Sequence, residues 1–185
     1  MRHEPAEGVP LYARMAGPSW WELPDSIRAV HETGEGARAE GRATVERGRG
    51  LLARLAGAAV GFPNAVADTP VSVRFGVANG IETWTRTFGC KSFSSRQFAG
   101  GGRSQGLLCE RFGPLTFAMA LVWDGRRLNL VLRRWSLFGV ALPMALCPRS
   151  TAYECVEDGR FHFHVEIGHP CTGLIVRYTG WLARS

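Results

Sequence analysis

The sequence predicts a mainly β (α+β) protein whose antiparallel meander of about nine or ten strands closes into a calycin- or lipocalin-like β-barrel. From Pro70 onward, apolar and polar residues alternate with a period of two, as they do along a strand. Asn79-Gly80, Asp124-Gly125 and Asp158-Gly159 separate the alternating runs. Such pairs accept the positive φ angles of type I′ hairpin turns. A long row of hairpins leaves two unpaired edges, and closure into a barrel removes them.

The residues before Pro70 are predicted to be mostly helical. The helical segments are PLYARMAG, SWWELPDSIRAVHETG and GLLARLAGAAVGFP, and a short strand, EGRATVERG, lies between the last two. We expect the helices to pack on the barrel or to cap it. The alternative is a strongly curved open sheet that grips the helix at 51–60, whose Leu51, Leu52, Leu55 and Ala59 share one broad face.

This order of elements predicts a single domain, 1–185, with 1–69 mostly helical and 70–185 forming the barrel. The strands predicted for the barrel are 70–77, 81–88, 92–99, 106–112, 115–123, 127–137, 149–157, 160–167 and 174–182.

Composition indicates a folded cytoplasmic protein. The chain has 185 residues, is 45% hydrophobic and 21% charged, and has no apolar run of membrane-spanning length and no signal-peptide core at its start. Its five cysteines are odd in number and show no C-x-x-C spacing, which favours reduced thiols. The net charge of +6 comes from scattered arginines and one lysine, so we expect no nucleic-acid partner. The oligomeric state is left open, a homodimer included.

The run PLTFAMALVW is apolar on both faces of a strand. Leu115, Phe117, Met119 and Leu121 share the face with the larger residues, which suits the wall of a cavity. The opposite, smaller face suits close packing of a helix. A solid core without a cavity is the alternative.

A second informative run, IETWTRTFG, places a charge among aromatic rings. Trp84, Arg86 and Phe88 share one face. Because a buried guanidinium needs a carboxylate or carbonyl partner, Glu46 and Glu110 are the candidates. Tyr178, on the same face as Leu174 and Val176, would also need an internal partner.

The segment FHFHVEIGHP raises the question of a metal. His162, His164 and Glu166 share one face, but the opposite aromatic face is the better core face. We therefore expect the histidines to face water and predict no metal site. P-loop, G-x-G-x-x-G and G-x-S-x-G motifs are absent, so we also predict no cofactor.

Five stretches, GRATVERG, WTRTFG, ERFGPLTF, LPMALCPR and EDGRFHFHV…GLIVRYTGWL, resemble bacterial domain-of-unknown-function family 4166. The likeness extends from about residue 11 to residue 182. Members occur alone or behind saccharopine-dehydrogenase-like reductases, and no activity comes with the family. The resemblance implies that its motif positions are Glu46, Trp84, Arg86, Glu110, Arg111, Arg177 and Trp181. The histidine-rich run departs from the family pattern.

Two functional hypotheses follow. In the first, the barrel is a cofactor-independent cyclase or isomerase that acts on an apolar metabolite such as a polyketide or terpenoid in natural-product biosynthesis. In the second, it is a non-catalytic carrier or sensor of a lipid-like ligand. The predicted catalytic residues are Glu46, Arg86, Glu110 and Tyr178. The predicted substrate-binding residues are Trp84, Phe88, Phe117, Met119 and Leu121.

Overall fold

A computed structural model describes residues 8–32, 34 and 36–184 of the chain. The α-helices are α1 (Leu11–Ala16), α2 (Asp25–His31) and α3 (Leu51–Val60). Short 3-10 helices occupy Gly17–Glu22, Gly102–Ser104 and Met144–Leu146. No helix of the described residues is both long and apolar enough to cross a membrane.

Strands dominate the remainder of the fold, and each of the predicted strands is present with its ends shifted by up to four residues. The strands are β1 (Arg38–Arg47), β2 (Val66–Ala78), β3 (Ile81–Phe88), β4 (Lys91–Ala99), β5 (Leu108–Phe112), β6 (Leu115–Trp123), β7 (Arg127–Leu137), β8 (Val140–Ala141), β9 (Arg149–Glu157), β10 (Arg160–His169) and β11 (Gly173–Arg184).

Ten of these strands form a closed antiparallel barrel, which confirms the predicted fold class. Their order around the wall is β6-β5-β4-β3-β2-β1-β11-β10-β9-β7, and pairing of β6 with β7 closes the ring. The remaining strand, β8, is a two-residue extension that pairs with the end of β7. The open-sheet alternative is therefore wrong.

β1, the strand predicted among the helices before Pro70, belongs to the barrel wall. β1 lies between β2 and β11, and its pairing with both joins the start of the chain to its end. The inner and outer positions of β1 alternate, so that Ala43 and Val45 are buried and Glu46 is exposed. This parity decides which side chains of β1 can reach the interior.

The two ends of the barrel differ. The end that we call the α1/α2 end carries the turns at 79–80, 124–126 and 158–159, and α2 contacts β9, β10 and β11 there. Tyr12 of α1 and His31 of α2 are buried. These helices therefore close this end, as the sequence predicts for capping helices.

The opposite end, which we call the α3 end, carries the turns at 89–90, 113–114, 138–139 and 170–172. Here α3 packs through its small residues Ala53 and Gly57, whereas Leu51, Leu52 and Leu55 are exposed. Small residues let the helix approach the wall closely. The broad leucine face is thus turned toward solvent.

One glycine of β1 shows how close the wall strands are. A Cβ built on Gly41 would lie 1.8 Å from the carbonyl oxygen of Trp181 on β11. We expect Gly41→Ala to lower the free energy of unfolding by about 2 kcal/mol or more, because backbone atoms must move to admit the methyl group. Urea unfolding monitored by circular dichroism measures this change.

Gly76→Ala is the matched control for this substitution. Gly76 is also a strand residue, and a Cβ built there meets no atom within 4 Å. We expect this variant to match or slightly exceed the wild type in stability. Equal losses for the two variants would contradict a specific clash at Gly41.

Candidate functional site

The barrel encloses a cavity of about 340 Å³. Aromatic and aliphatic side chains make most of its wall, among them Phe88, Phe112, Phe117, Met119, Leu132 and Phe163. At the α1/α2 end the cavity is bounded by buried Tyr12 and Val30. At the α3 end it is bounded by Ala59 and Ser150, which are exposed, so the cavity reaches the surface there.

A polar stripe crosses this apolar wall because of strand register. Ser95 on β4 pairs with Trp84 on β3, and Gln97 on β4 pairs with Glu110 on β5. Parity turns these positions inward, next to Arg86. Three neighbouring strands therefore place a guanidinium, a hydroxyl, an amide and a carboxylate side by side.

Arg86 is held by hydrogen bonds and by cation–π contacts with aromatic rings. Its two terminal nitrogens donate to Ser95 Oγ at 2.7 Å and to Glu110 Oε1 at 3.0 Å. Its guanidinium carbon lies 5.0 Å from the ring centroid of Trp84 and 5.8 Å from that of Phe93. Burial alone lowers the pKa of Arg86, but the neighbouring Glu110 reverses the effect, and the pKa of the guanidinium is raised. Arg86 therefore stays cationic.

The hydrogen bonds to Glu110 leave acceptor capacity unused. Ser95 Oγ donates at 2.6 Å and Gln97 Nε2 at 3.1 Å, both to the Oε1 atom that Arg86 also contacts. Gln97 Oε1 is buried and has no hydrogen-bond partner within the described ranges. Rotating that amide would place its oxygen against the carboxylate, so the assigned orientation is the favourable one. The stripe can accept a donor from a bound molecule.

Two phenols contribute hydroxyl groups to the cavity. Burial raises the pKa of Tyr178 to about 12, and it raises the pKa of Tyr12 well above its usual value, with Glu154 adding to the second effect. Both phenols therefore remain protonated near neutral pH. Each can donate a hydrogen bond to a ligand oxygen.

A second polar pair lies beneath the helical cap. His31 Nε2 is 2.6 Å from Glu154 Oε2, and Glu154 lines the cavity from β9. The imidazole stacks on Tyr12 at a centroid distance of 3.5 Å and lies 5.5 Å from Trp84. Its Nδ1 atom is buried without a hydrogen-bond partner in the part of the chain that the structure describes. Histidine and carboxylate together form a unit that can hold or move a proton.

Most of the predicted site residues meet in this cavity. Those lining it are Trp84, Arg86, Phe88, Glu110, Phe117, Met119 and Tyr178. Leu121 instead packs against the buried core. The prediction that Glu46 lies near Arg86 is wrong. It lies on the outer wall and accepts two hydrogen bonds from Arg177, because parity on β1 gives the inner position to Val45.

The histidine-rich strand faces as predicted. Phe161 and Phe163 point into the barrel, whereas His162 lies 3.8 Å from exposed Glu157. His164 stacks on Tyr153 at 4.8 Å, and burial lowers the pKa of His164. Glu166 accepts a hydrogen bond from Arg177 at 2.7 Å. Across 8–32, 34 and 36–184, no group of three histidine, cysteine or acidic side chains could hold a metal ion.

Sequence reasoning missed part of the site. Ser95 and Gln97 share the inner face of KSFSSRQFA with Phe93, so the parity rule could have found them. The proximity of Tyr12, His31 and Glu154 had no local signal. These three residues come from two helices and a distant strand, and only tertiary packing brings them together.

The chain belongs to the family described as "Domain of unknown function (DUF4166)", whose model matches residues 23–182. A search of curated proteins finds no match. The matched range covers most of the chain and includes Arg86, Glu110, Glu154 and Tyr178, but α1 with Tyr12 lies before it.

We expect Arg86→Met to lower the free energy of unfolding by about 3–5 kcal/mol, because it leaves Glu110 buried without its cationic partner. The double variant Arg86→Met/Glu110→Gln should lose less than the sum of the two single variants. Urea unfolding of all four proteins gives the coupling energy. Arg177→Met, which removes the two ion pairs of the outer wall with Glu46 and Glu166, should cost at most about 1 kcal/mol. Additive losses at Arg86 and Glu110 would contradict a buried pair.

Tyr178 predicts a dependence of stability on alkaline pH. Above pH 10 the unfolded chain loses the Tyr178 proton while the folded chain keeps it up to about 12, so stability falls as pH rises through this window. The expected slope is about 1.4 kcal/mol per pH unit for this tyrosine. Tyr178→Phe should have a shallower slope in urea unfolding between about pH 10 and about pH 11.5. Coinciding slopes would show that the hydroxyl is solvated.

Proposed function

We propose that this member of a family of unknown function binds an apolar small molecule that carries oxygen substituents. The observation that carries the proposal is the cavity of about 340 Å³, which is largely apolar yet contains the Arg86–Glu110 pair. Sites for small molecules typically combine an apolar wall with a few convergent polar groups and have volumes of about 300–1,000 Å³.

The polar stripe defines what the ligand offers. Arg86 and Tyr178 donate hydrogen bonds, which suits a carbonyl or ether oxygen. Gln97 Oε1 lacks a donor among the described residues, which suits a ligand hydroxyl. A compact polyketide or terpenoid that carries both a carbonyl and a hydroxyl has this chemistry.

Catalysis is the second candidate, favoured by the two carboxyl groups, Glu110 and Glu154, that line one apolar cavity. One could take a proton from a carbon next to a ligand carbonyl, while Arg86 or Tyr178 stabilises the resulting enolate oxygen. Return of the proton at another carbon is an isomerisation. In a cyclisation the enolate carbon adds to a second carbonyl of the same molecule, the C=O π bond of that carbonyl opens, and its oxygen takes the proton back from the carboxyl group. Neither step needs a cofactor. A carrier or sensor would use the same contacts without proton transfer.

We propose that the protein binds its ligand in the cytoplasm. All five cysteines are free, and burial raises the pKa of Cys147 to about 11, which keeps that thiol protonated. Thiols persist in a reducing compartment.

A large side chain introduced into the cavity should weaken the binding of small apolar molecules. Ala152 lines the cavity from β9, so Ala152→Phe places a ring inside it. We expect at least a tenfold loss of affinity for the uncharged dye N-phenyl-1-naphthylamine, measured by fluorescence titration, because the ring occupies the volume that the dye needs. Ala183→Phe, at an exposed position of β11, should bind the dye as the wild type does. Unchanged binding by both variants would place the dye outside the barrel and contradict the proposal.

Glu110→Gln distinguishes an enzyme from a ligand carrier, because it removes the charge of the side chain and keeps its shape. Native mass spectrometry first identifies the ligand that co-purifies, and exchange of its hydrogens with deuterated water then measures proton transfer. For an enzyme, we expect a loss in turnover of about 100-fold or more with a smaller change in affinity. For a carrier, affinity alone should change.

Glu82→Gln is the control for this experiment. Glu82 is also a buried carboxyl group, but it accepts from Trp84 Nε1 at 3.0 Å. We expect this variant to keep turnover within a few-fold of the wild type. Equal losses for Glu82→Gln and Glu110→Gln would assign the effect to general loss of interior charge and would contradict a role for Glu110 at the ligand.

A further inference from the structure

The α3 end of the barrel exposes large apolar side chains. Leu51 of α3 is 70% exposed and Phe138 of the β7–β8 turn is 79% exposed. The other members of this apolar rim are Leu52, Leu55, Val140, Met144 and Leu146. Large apolar groups collected at one end of a protein mark a surface that contacts a partner or a membrane.

The apolar rim lies on both sides of the opening of the cavity. α3 follows β1, whereas Phe138 and Val140 follow β7. In the ring of ten strands β1 lies directly opposite β6, the neighbour of β7. The cavity reaches the surface at this end, beside Ala59 of α3 and Ser150 of β9. A molecule that leaves the cavity here therefore passes between two apolar edges.

The connections at this end carry charge of one sign. The connections at 48–65, 89–90, 113–114, 138–148 and 170–172 contain no aspartate or glutamate. Exposed basic side chains occur in them or on the strand residues beside them: Arg49, Arg54, Lys91, Arg111 and Arg149. The α1/α2 end, in contrast, carries acidic residues such as Asp25, Asp124 and Asp158.

The acidic residues on strands near the α3 end form ion pairs with arginines of the outer wall. Glu46 and Glu166 both pair with Arg177, at 3.0 and 2.7 Å. Asp68 forms two hydrogen bonds to Arg42, at 2.7 and 2.6 Å. These three carboxylates and two arginines together carry a net charge of −1, which offsets only one of the five basic groups named above.

We propose that the α3 end docks on the surface of a membrane that contains anionic lipids, with the apolar rim inserted among the acyl chains and the basic residues at the headgroups. Apolar side chains ringed by arginine and lysine are the combination that binds peripheral proteins to such surfaces. In this position the cavity opens onto the bilayer. An apolar ligand, if the function proposed above holds, can then pass between membrane and barrel without crossing water.

The charge pattern disfavours a second copy as the occupant. A twofold dimer places the same patch of each chain against itself. The basic residues of one α3 end would then meet those of the other, with no carboxylate in either set of connections to pair with them. Anionic headgroups supply the charge that this end lacks.

Flotation with lipid vesicles tests the proposal on the full chain. We expect binding to phosphatidylcholine vesicles that contain about a third phosphatidylglycerol, weak binding to pure phosphatidylcholine, and a decline of the former as salt rises. Leu52→Glu/Leu55→Glu should lower binding at least tenfold, because it places charge where acyl chains must contact the helix. Arg54→Gln should lower it about fivefold.

Trp21→Gln is the matched control, because Trp21 is 77% exposed beside α2, at the closed end of the barrel. This variant should bind vesicles as the wild type does. If the α3 variant does not fold by circular dichroism, Phe138→Ser on the β7–β8 turn serves in its place and should lose at least threefold.

Absence of binding to anionic vesicles at low salt overturns the proposal, as does an equal loss for Trp21→Gln. A dimer in analytical ultracentrifugation that Leu52→Glu/Leu55→Glu converts to a monomer would instead assign the rim to a second copy. Dye binding in the cavity, measured on the same variants in the absence of vesicles, should be retained. If the wild type does not bind the dye, the proposed ligand binding is wrong. The vesicle experiment then still tests membrane docking independently.

Discussion

A guanidinium enclosed by aromatic rings is the constraint on which the interior of this barrel depends. Withdrawing Arg86 from water is costly, and the cost is offset only if Glu110, Ser95 and the ring faces all lie in place. A slip of one residue between β3, β4 and β5 would turn these partners outward and leave the charge alone. The ion pair therefore fixes the register of three strands and, with it, the position of the polar stripe in the cavity.

The helical cap is joined to the same group of residues. Tyr12 stacks on His31 at 3.5 Å, and its ring lies 5.9 Å from Trp84, which in turn faces Arg86. Glu154 holds the imidazole from the wall. The cap and the stripe thus share a continuous set of contacts, so a ligand that moves Arg86 or Trp84 acts on the packing of α1 and α2 as well.

Local patterns predicted the wall well, because strand period and hairpin turns are properties of neighbouring residues. Parity alone placed Trp84, Arg86 and Phe117 inside. The charge of Glu46 makes it a candidate partner for Arg86, but the parity of its own strand puts it on the outer wall. His31 could not be predicted, since its partners come from β9 and α1. The leucines of α3 would face a core in an ordinary amphipathic helix. In α3 the small residues Ala53 and Gly57 face the core instead, because the helix packs across the open end of the barrel.

The balance of charge inside the barrel restricts the ligand further. Glu82, Glu110 and Glu154 are buried carboxyl groups, and the side chains that contact them as cations or potential cations are Arg86 and His31. In a medium of low dielectric constant an additional carboxylate would be repelled more strongly than in water. A free fatty acid is therefore a poor match for this interior, even though its chain suits the apolar wall. A neutral molecule that donates a hydroxyl to Gln97 and accepts from Arg86 adds no charge and satisfies both groups.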